Sequence, residues 1–188
     1  MEGGDTVSRF ILIKKIQSGD TDAFEMIVRK YYQSIYLFCC RRLNGDPDTA
    51  ADITQDVFLK LLKNIQSVRK IGKFQNYLLT IAVNTCNNYA KKAKPLYMDL
   101  ETLEDIEDTD NAFEKVELNE LKAEVQYAIN TLPDYQKEVI ILRFYYDLKI
   151  REIATITKVS VSTVKSRLQQ GVKKLERYLA DFRGGDNV

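Results

Sequence analysis

The sequence predicts an all-α protein made of two small helical domains joined by an acidic linker. Apolar residues recur at spacings of three and four, the period of an amphipathic helix, and no strand pairing or internal repeat is visible. Charge is unevenly distributed: residues 1–94 carry fifteen basic and nine acidic side chains, residues 95–120 one and ten, and residues 121–188 twelve and eight. We therefore expect domains at 1–94 and 121–188 with a linker at 95–120, and two basic surfaces suited to nucleic acid.

The composition excludes several functional classes. Histidine is absent, which removes Ser-His, Cys-His and His-metal chemistry. No glycine-rich phosphate loop or other catalytic motif accompanies the carboxylates. We therefore expect no enzyme, no metal site and no cofactor.

Length and cysteine usage indicate a globular protein of the cytoplasm. Hydrophobic residues make up 45% of the 188 positions, too many for a fully disordered chain. No apolar run approaches the ~18 residues that a membrane span needs, and the N-terminus lacks the features of a secretory signal. Cys39, Cys40 and Cys86 match no metal or redox spacing, so we expect buried, reduced thiols.

The first two helices are set by their ends. A short amphipathic helix is predicted from about Val7 to Gln17. Asp20 or Thr21 can cap the second helix, whose apolar residues recur at threes and fours. The segment Asn44-Gly45-Asp46-Pro47 is expected to end it.

The third helix, from about Asp48 to Ile65, has an unusual exposed face. Its buried side is predicted to hold Ile53, Val57, Phe58, Leu61, Leu62 and Ile65. The opposite side holds Asp52, Gln55, Asp56, Lys60 and Lys63, with Leu59 among them. A leucine surrounded by carboxylates is a plausible anchor for a protein partner, although single exposed leucines are common and often have no role.

The fourth helix, from about Phe74 to Lys92, has an amide-rich polar face. The packed side is predicted to be Phe74, Tyr77, Leu78, Ile81, Ala82, Cys86 and Tyr89. The polar side is Asn76, Thr80, Asn84, Asn87, Asn88 and Lys91, followed by Lys92. Asparagine is a mediocre helix former, whereas amides can bind unstacked bases and lysines can bind phosphates. A plain solvated face is the alternative.

A helix-turn-helix is predicted near the C-terminus, after a helix from near Phe113 to about Thr131 and another that starts at Leu132-Pro133-Asp134. Its first helix carries Ile150, Ile153 and Ala154, and its second starts after Ser160, a good N-cap. The second helix is expected to bury Val161, Val164, Leu168, Val172 and Leu175. Its other face is Ser162, Thr163, Ser166, Arg167, Gln169, Gln170 and Lys173.

That second face suits DNA. Six basic residues and one acidic residue lie between Lys158 and Arg177. A polar, nearly acid-free helix face matches what a major groove requires. The alternative is a solvated surface helix, which usually shows mixed charge.

These elements together resemble the sigma-70 superfamily of bacterial sigma factors, specifically the small extracytoplasmic-function (ECF) group, over nearly the whole chain. Asp52-Ile-Thr-Gln-Asp-Val-Phe58 is similar to the region 2.2 signature, and Phe74-Gln-Asn-Tyr-Leu-Leu-Thr-Ile-Ala-Val-Asn84 to regions 2.3 and 2.4. Leu132-Pro-Asp-Tyr-Gln-Lys-Glu-Val139 resembles the opening of region 4.1, and Thr163-Val-Lys-Ser-Arg-Leu168 the recognition helix for the −35 element. Four motifs in the correct order are highly specific.

The resemblance implies a fold, partners and residue roles. The fold is a region 2 helical bundle followed by a region 4 helix-turn-helix. Core RNA polymerase, through its β′ clamp helices and β flap, promoter DNA and an anti-sigma factor are the implied partners. The β′ contacts would be Asp52, Gln55, Asp56 and Leu59. The −10 contacts would be Asn84, on an unstacked base, and Asn76, Thr80, Asn87, Asn88, Lys91 and Lys92. The −35 contacts would be Ser162, Thr163, Lys165, Ser166, Arg167, Gln169, Gln170 and Lys173.

Some positions depart from the family pattern. Tyr77 stands where many relatives have Trp, and Asn88 replaces a common Asp. Lys158 occupies a turn position usually given to Gly, where a positive φ costs a non-glycine residue ~1 kcal/mol. Gln170 stands where Arg is frequent. Because Gln favours adenine and Arg favours guanine, we expect a different −35 preference from relatives with Arg.

Two other functional classes compete with the sigma-factor interpretation. An ordinary helix-turn-helix regulator would bind palindromic sites as a dimer without polymerase, but it needs neither the acidic Asp52–Leu59 face nor the asparagine-rich helix. A helical adaptor that binds only protein is disfavoured by the basic, acid-poor helix from Val161 to Arg177.

Overall fold

The computed structural model describes residues 3–68, 73–92 and 123–185, and every regular element in those ranges is helical. The prediction of an all-α fold is confirmed. The elements are α1 (Gly3–Gln17), α2 (Thr21–Arg42), α3 (Pro47–Asn64), a 3₁₀ turn (Ile65–Ser67), α4 (Phe74–Lys92), α5 (residues 123–130), α6 (Asp134–Phe144), α7 (Ile150–Thr157) and α8 (Val161–Gly185).

The chain divides into two compact units. The first contains Met1–Cys39 and Asp48–Pro95, and the second contains Cys40–Pro47 and Leu96–Val188. The turn between α2 and α3 therefore groups with the C-terminal helices, which the sequence did not indicate. The predicted acidic linker at 95–120 lies outside the described residues.

The first unit is a bundle whose buried residues come mainly from α2, α3 and α4, with Ile13 and Ile16 added by α1. Ile35 of α2, Leu61 of α3 and Leu78 of α4 are fully buried. Asp20 caps α2, since its Oδ1 accepts a hydrogen bond from the Ala23 backbone at 2.9 Å. Lys60 joins α3 to α4 through a 3.0 Å hydrogen bond from its Nζ to the Thr85 hydroxyl.

The three cysteines are buried free thiols, as the sequence predicted. The Sγ atoms of Cys39 and Cys86 lie 4.0 Å apart. The hydrogen bond with Cys86 lowers the pKa of the Cys39 thiol, and burial partly offsets this effect.

The second unit is organised around α8, which packs against α6 and α7. Gly171 allows the close approach of α8 to α6, because a Cβ there would lie 3.1 Å from Cγ1 of Ile140.

The tight turn before α8 is built as predicted. Lys158 adopts the left-handed conformation with φ 56° and ψ 37°, and the Ser160 hydroxyl accepts a 3.1 Å hydrogen bond from the Thr163 backbone.

Three apolar residues predicted to be buried are exposed instead, so these predictions are wrong. Leu62 is 42% exposed, Val161 39% and Tyr89 39%. Leu62 lies at the edge of the buried arc of α3, about 100° from Leu61. Val161 is the first residue of α8, so no preceding helical turn lies beneath its side chain. Tyr89 is also at the edge of its helix's packed face.

Candidate nucleic-acid interface

The polar face of α3 is exposed as predicted. Asp52, Gln55, Asp56 and Leu59 all lie in solvent, and the opposite side of the helix is buried through Ile53, Val57 and Leu61. Leu59 is 52% exposed. Leu62, one turn further along, adds a second exposed leucine beside it. The result is a small apolar patch with Asp52 and Asp56 on its N-terminal side and the exposed Lys63 on its C-terminal side, a surface suited to a protein partner.

The amide-rich face of α4 is partly held by the helix itself. Asn84 donates a 2.8 Å hydrogen bond from Nδ2 to the Thr80 carbonyl, and the Thr80 hydroxyl donates to the Asn76 carbonyl at 2.8 Å. The Asn84 side chain keeps its acceptor oxygen and a second N–H for another partner. This face becomes more exposed toward the C-terminus of α4. Its half-buried residues are Asn76, Thr80, Asn84 and Asn87, and its exposed residues are Asn88, Lys91 and Lys92.

Tyr77, predicted on the packed side of α4, is half-buried at the border between that side and the amide-rich face. It precedes Asn84 by seven residues, which is two helical turns and therefore the same side of the helix. The ring is half-buried and lies 6.4 Å from the ring of Phe74. Burial raises the pKa of the Tyr77 phenol, so the group stays uncharged at neutral pH. A neutral aromatic ring bordering the amides of this helix is a suitable surface for stacking an unpaired base.

The N-terminus of α8 presents a cluster of hydroxyls. The Ser160 hydroxyl lies 2.8 Å from that of Ser162 and 2.7 Å from that of Thr163. Free backbone N–H groups and the helix dipole at the same end favour an anion such as a phosphate. Six of the eight predicted −35 contacts are exposed, namely Ser162, Lys165, Ser166, Gln169, Gln170 and Lys173.

Two side chains of this face are held by α6. The Arg167 guanidinium lies over the Tyr135 ring, 5.4 Å from its centroid. Gln170 accepts a 3.0 Å hydrogen bond from the amide of Gln136. Thr163 and Arg167 are half-buried.

The sequence pattern missed Leu62, Tyr135 and Gln136. The periodicity of α3 predicts a buried Leu62, which is exposed. The polar residues that begin α6, including Gln136, show no pattern that predicts burial. One indication was available in Gly171, since a glycine inside a helix often marks a close approach to a neighbouring element. Each of the three predicted groups lies along one side of its own helix; the group on α3 is exposed, and the groups on α4 and α8 are partly exposed and partly half-buried.

No helix in the described part of the chain is both long and apolar enough to cross a membrane.

A helix-turn-helix with a basic, acid-poor second helix, together with a helical bundle bearing an amide-rich face, defines a DNA-binding transcription protein of two helical units. Two family models match it: Sigma-70 region 2 over residues 27–95 and Sigma-70, region 4 over residues 122–175.

Curated relatives match most of the chain. The chain is 34% identical to the ECF RNA polymerase sigma factor SigW of Bacillus subtilis, covering 90% of this chain and 96% of the relative. It is 30% identical to the RNA polymerase sigma-H factor of Pseudomonas aeruginosa, covering 89% and 92%. It is also 30% identical to the ECF RNA polymerase sigma-E factor of Escherichia coli K12, covering 84% and 87%.

Solved structures share the fold. The sigma factor RpoE from Bartonella quintana, in complex with the anti-sigma factor NepR, superimposes with a TM-score of 0.68 at 18% identity over 84% of this chain and 96% of that one. CnrH, in complex with the cytosolic domain of CnrY, superimposes with a TM-score of 0.64 at 20% identity, over 91% of this chain and 96% of that one.

The chain belongs to the ECF RNA polymerase sigma factors. It therefore directs promoter-specific initiation by RNA polymerase, and the family predicted from the four motifs is confirmed. The helix-turn-helix regulator acting without polymerase finds no support among these relatives.

Proposed function

We propose that three exposed helix faces divide the work of initiation, with no catalysis by the chain itself. The face of α3 binds the β′ clamp helices, the face of α4 captures the −10 strand, and the face of α8 contacts the −35 duplex. The domains responsible are residues 1–94 and 121–188, with residues 95–120 as an acidic tether. The site of action is the cytoplasm, where core polymerase and promoter DNA are found.

The observation that carries this proposal is the surface of α8. Its predicted contacts are mostly exposed, its N-terminus is capped by Ser160, and no acidic residue precedes Glu176 within it. Such a helix can approach phosphates without repulsion while its amides and hydroxyls reach base edges.

The α4 face promotes opening of the −10 region by binding bases that have become unpaired. Unpairing and unstacking a few base pairs costs several kcal/mol, because each stacking step contributes roughly 1–2 kcal/mol. Asn84 offers a hydrogen-bonding amide, Tyr77 an aromatic ring, and Lys91 and Lys92 offset phosphate charge. Contacts made only with unpaired bases favour the open promoter.

The α3 face supplies the attachment to polymerase. Asp52 and Asp56 give charge complementarity to a basic partner, and Leu59 with Leu62 gives a small apolar anchor. Seating both DNA-binding domains on one enzyme raises their effective concentration at the promoter. Weak binding by each domain alone then becomes specific binding by the holoenzyme.

We also propose that an anti-sigma factor holds this chain inactive. RpoE from Bartonella quintana was solved with the anti-sigma factor NepR, and its fold matches this chain. A protein that covers either the α3 face or the DNA-binding faces would block initiation without altering the fold.

The experiment that tests the proposal is run-off transcription with core polymerase and the double variant Asp52→Ala/Asp56→Ala. We expect initiation to fall about tenfold or more, equivalent to about 1.4 kcal/mol of lost binding, because the acidic attachment is removed. The matched control is Asp22→Ala/Glu25→Ala, which removes two exposed carboxylates of α2 in the same unit. Equal transcription by both double variants would contradict the assignment of the α3 face.

A further inference from the structure

We propose that Gln136 is a positioning residue for base recognition, which holds the Gln170 amide in one orientation suited to an adenine edge. The inference rests on the proposed role of α8 as the −35 helix. It concerns a buried residue of α6 that itself touches no DNA.

The Gln170 amide is tethered at both ends. Gln136, only 1% exposed, donates a 3.0 Å hydrogen bond from its Nε2 to Oε1 of Gln170. Nε2 of Gln170 donates a 3.0 Å hydrogen bond to the Ser166 hydroxyl. An exposed glutamine ordinarily rotates freely and exchanges the positions of its oxygen and nitrogen. Here each end has a fixed partner.

The remaining hydrogen-bonding capacity matches adenine. A primary amide oxygen accepts two hydrogen bonds and its nitrogen donates two. With one of each already used, Gln170 keeps one acceptor and one donor on an exposed side chain. Adenine presents a donor and an acceptor in the major groove, whereas guanine presents two acceptors. An amide oxygen held in place would therefore face an acceptor of guanine and disfavour it.

Stability does not explain the presence of Gln136. Its Oε1 is buried and has no hydrogen-bond partner in the part of the chain that the structure describes. An unsatisfied buried oxygen is unfavourable, and an apolar side chain of similar length would avoid it. Gly171 brings the two helices close enough for the contact, since a Cβ on it would lie 3.7 Å from Cβ of Gln136.

The test compares the full chain and its variants as holoenzymes with core polymerase. Each is used to select from a pool of promoter duplexes randomised across the −35 region, and the retained DNA is sequenced. Gln170→Ala first identifies the base pair that Gln170 reads. Gln136→Met and Gln136→Leu then remove the hydrogen bond while keeping the site filled, and the double variant Gln136→Met/Gln170→Ala completes the cycle. Thermal unfolding of every variant is measured in parallel.

We expect Gln136→Met to lower the preference for adenine at that base pair about fivefold to tenfold, with a melting temperature equal to or above that of the wild type. The double variant should show the same preference as Gln170→Ala alone, because Gln136 acts through Gln170. Gln169→Ala, selected in the same way, serves as a control and identifies the base pair that Gln169 reads. The preference at that base pair should be unchanged in Gln136→Met.

The proposal is overturned if Gln136→Met keeps the adenine preference. It is also overturned if both apolar variants lose preference at every position or fail to fold, since Gln136 would then be structural. If Gln170→Ala changes no base preference, the proposed role of Gln170 fails and this inference fails with it. A changed preference in Gln170→Ala with none in Gln136→Met removes only the inference.

Discussion

Three consecutive polar residues at the start of α6, Gln136, Lys137 and Glu138, are buried to between 1% and 4% exposure. Hydrophobic periodicity cannot identify such residues, because it assigns polar side chains to the surface. Their burial depends on neighbours from distant parts of the sequence, as with Gln136 and Gln170. The exposed residues of α8 were predictable by residue type, but their support from α6 was not.

Lys137 makes stability depend on pH. It donates a hydrogen bond to the Asn44 side chain within the second unit. Burial and the nearby charge of Arg42 lower the pKa of Lys137 from 10.5 to about 8, and Asp134 partly opposes the shift. Above pH 10.5 the amine is neutral in both the folded and the unfolded chain. As the pH falls from 10.5 to 8, the unfolded chain binds a proton at Lys137 before the buried amine does, so stability falls; below 8 the amine is protonated in both states and stability changes no further.

We therefore expect the free energy of unfolding of the wild type to rise between pH 8 and 10.5 relative to that of Lys137→Met. The relative rise should not exceed roughly 3 kcal/mol. Urea unfolding across this pH range measures it, and Lys174→Met, on an exposed lysine, serves as the control. Parallel pH profiles for wild type and Lys137→Met would refute the proposed burial effect.

At the scale of helices, local rules predicted most of the boundaries. The sequence Asn44-Gly45-Asp46-Pro47 ends α2 as expected, with Asn44 at φ 64° and Gly45 at φ 88°. Asp20 and Ser160 cap the helices that follow them. These features depend on neighbouring residues alone, so sequence suffices. The exposure of Leu62 and Val161 depends on what packs against each helix. The local sequence does not determine that packing.

The turn before α8 provides a stability prediction. Lys158 has φ 56°, a conformation that costs an L-residue with a Cβ roughly 1–2 kcal/mol. Lys158→Gly should raise the free energy of unfolding by about 0.5–1 kcal/mol after its greater unfolded entropy is included. Lys158→Ala, which keeps the Cβ, should not. Denaturant titration of the two variants decides this, and equal stabilities would show that the turn carries no such strain.

At the scale of the molecule, the sequence predicted an all-α fold with a region 2 segment followed by a region 4 segment. Charge segregation and four ordered motifs carried that prediction, since both are properties of the chain rather than of its packing. The grouping of residues 40–47 with the C-terminal helices was not predictable, because it depends on long-range contacts such as the 2.8 Å ion pair between Arg42 and Asp134.

The central claim is that this chain opens promoters only when bound to polymerase. The most direct measurement is thymine reactivity to permanganate across a promoter, with the full chain alone, core polymerase alone and the two together. We expect reactive thymines in the −10 region only for the mixture, with the chain co-migrating with core polymerase on a sizing column. A mixture that neither co-migrates nor opens the template would contradict the account.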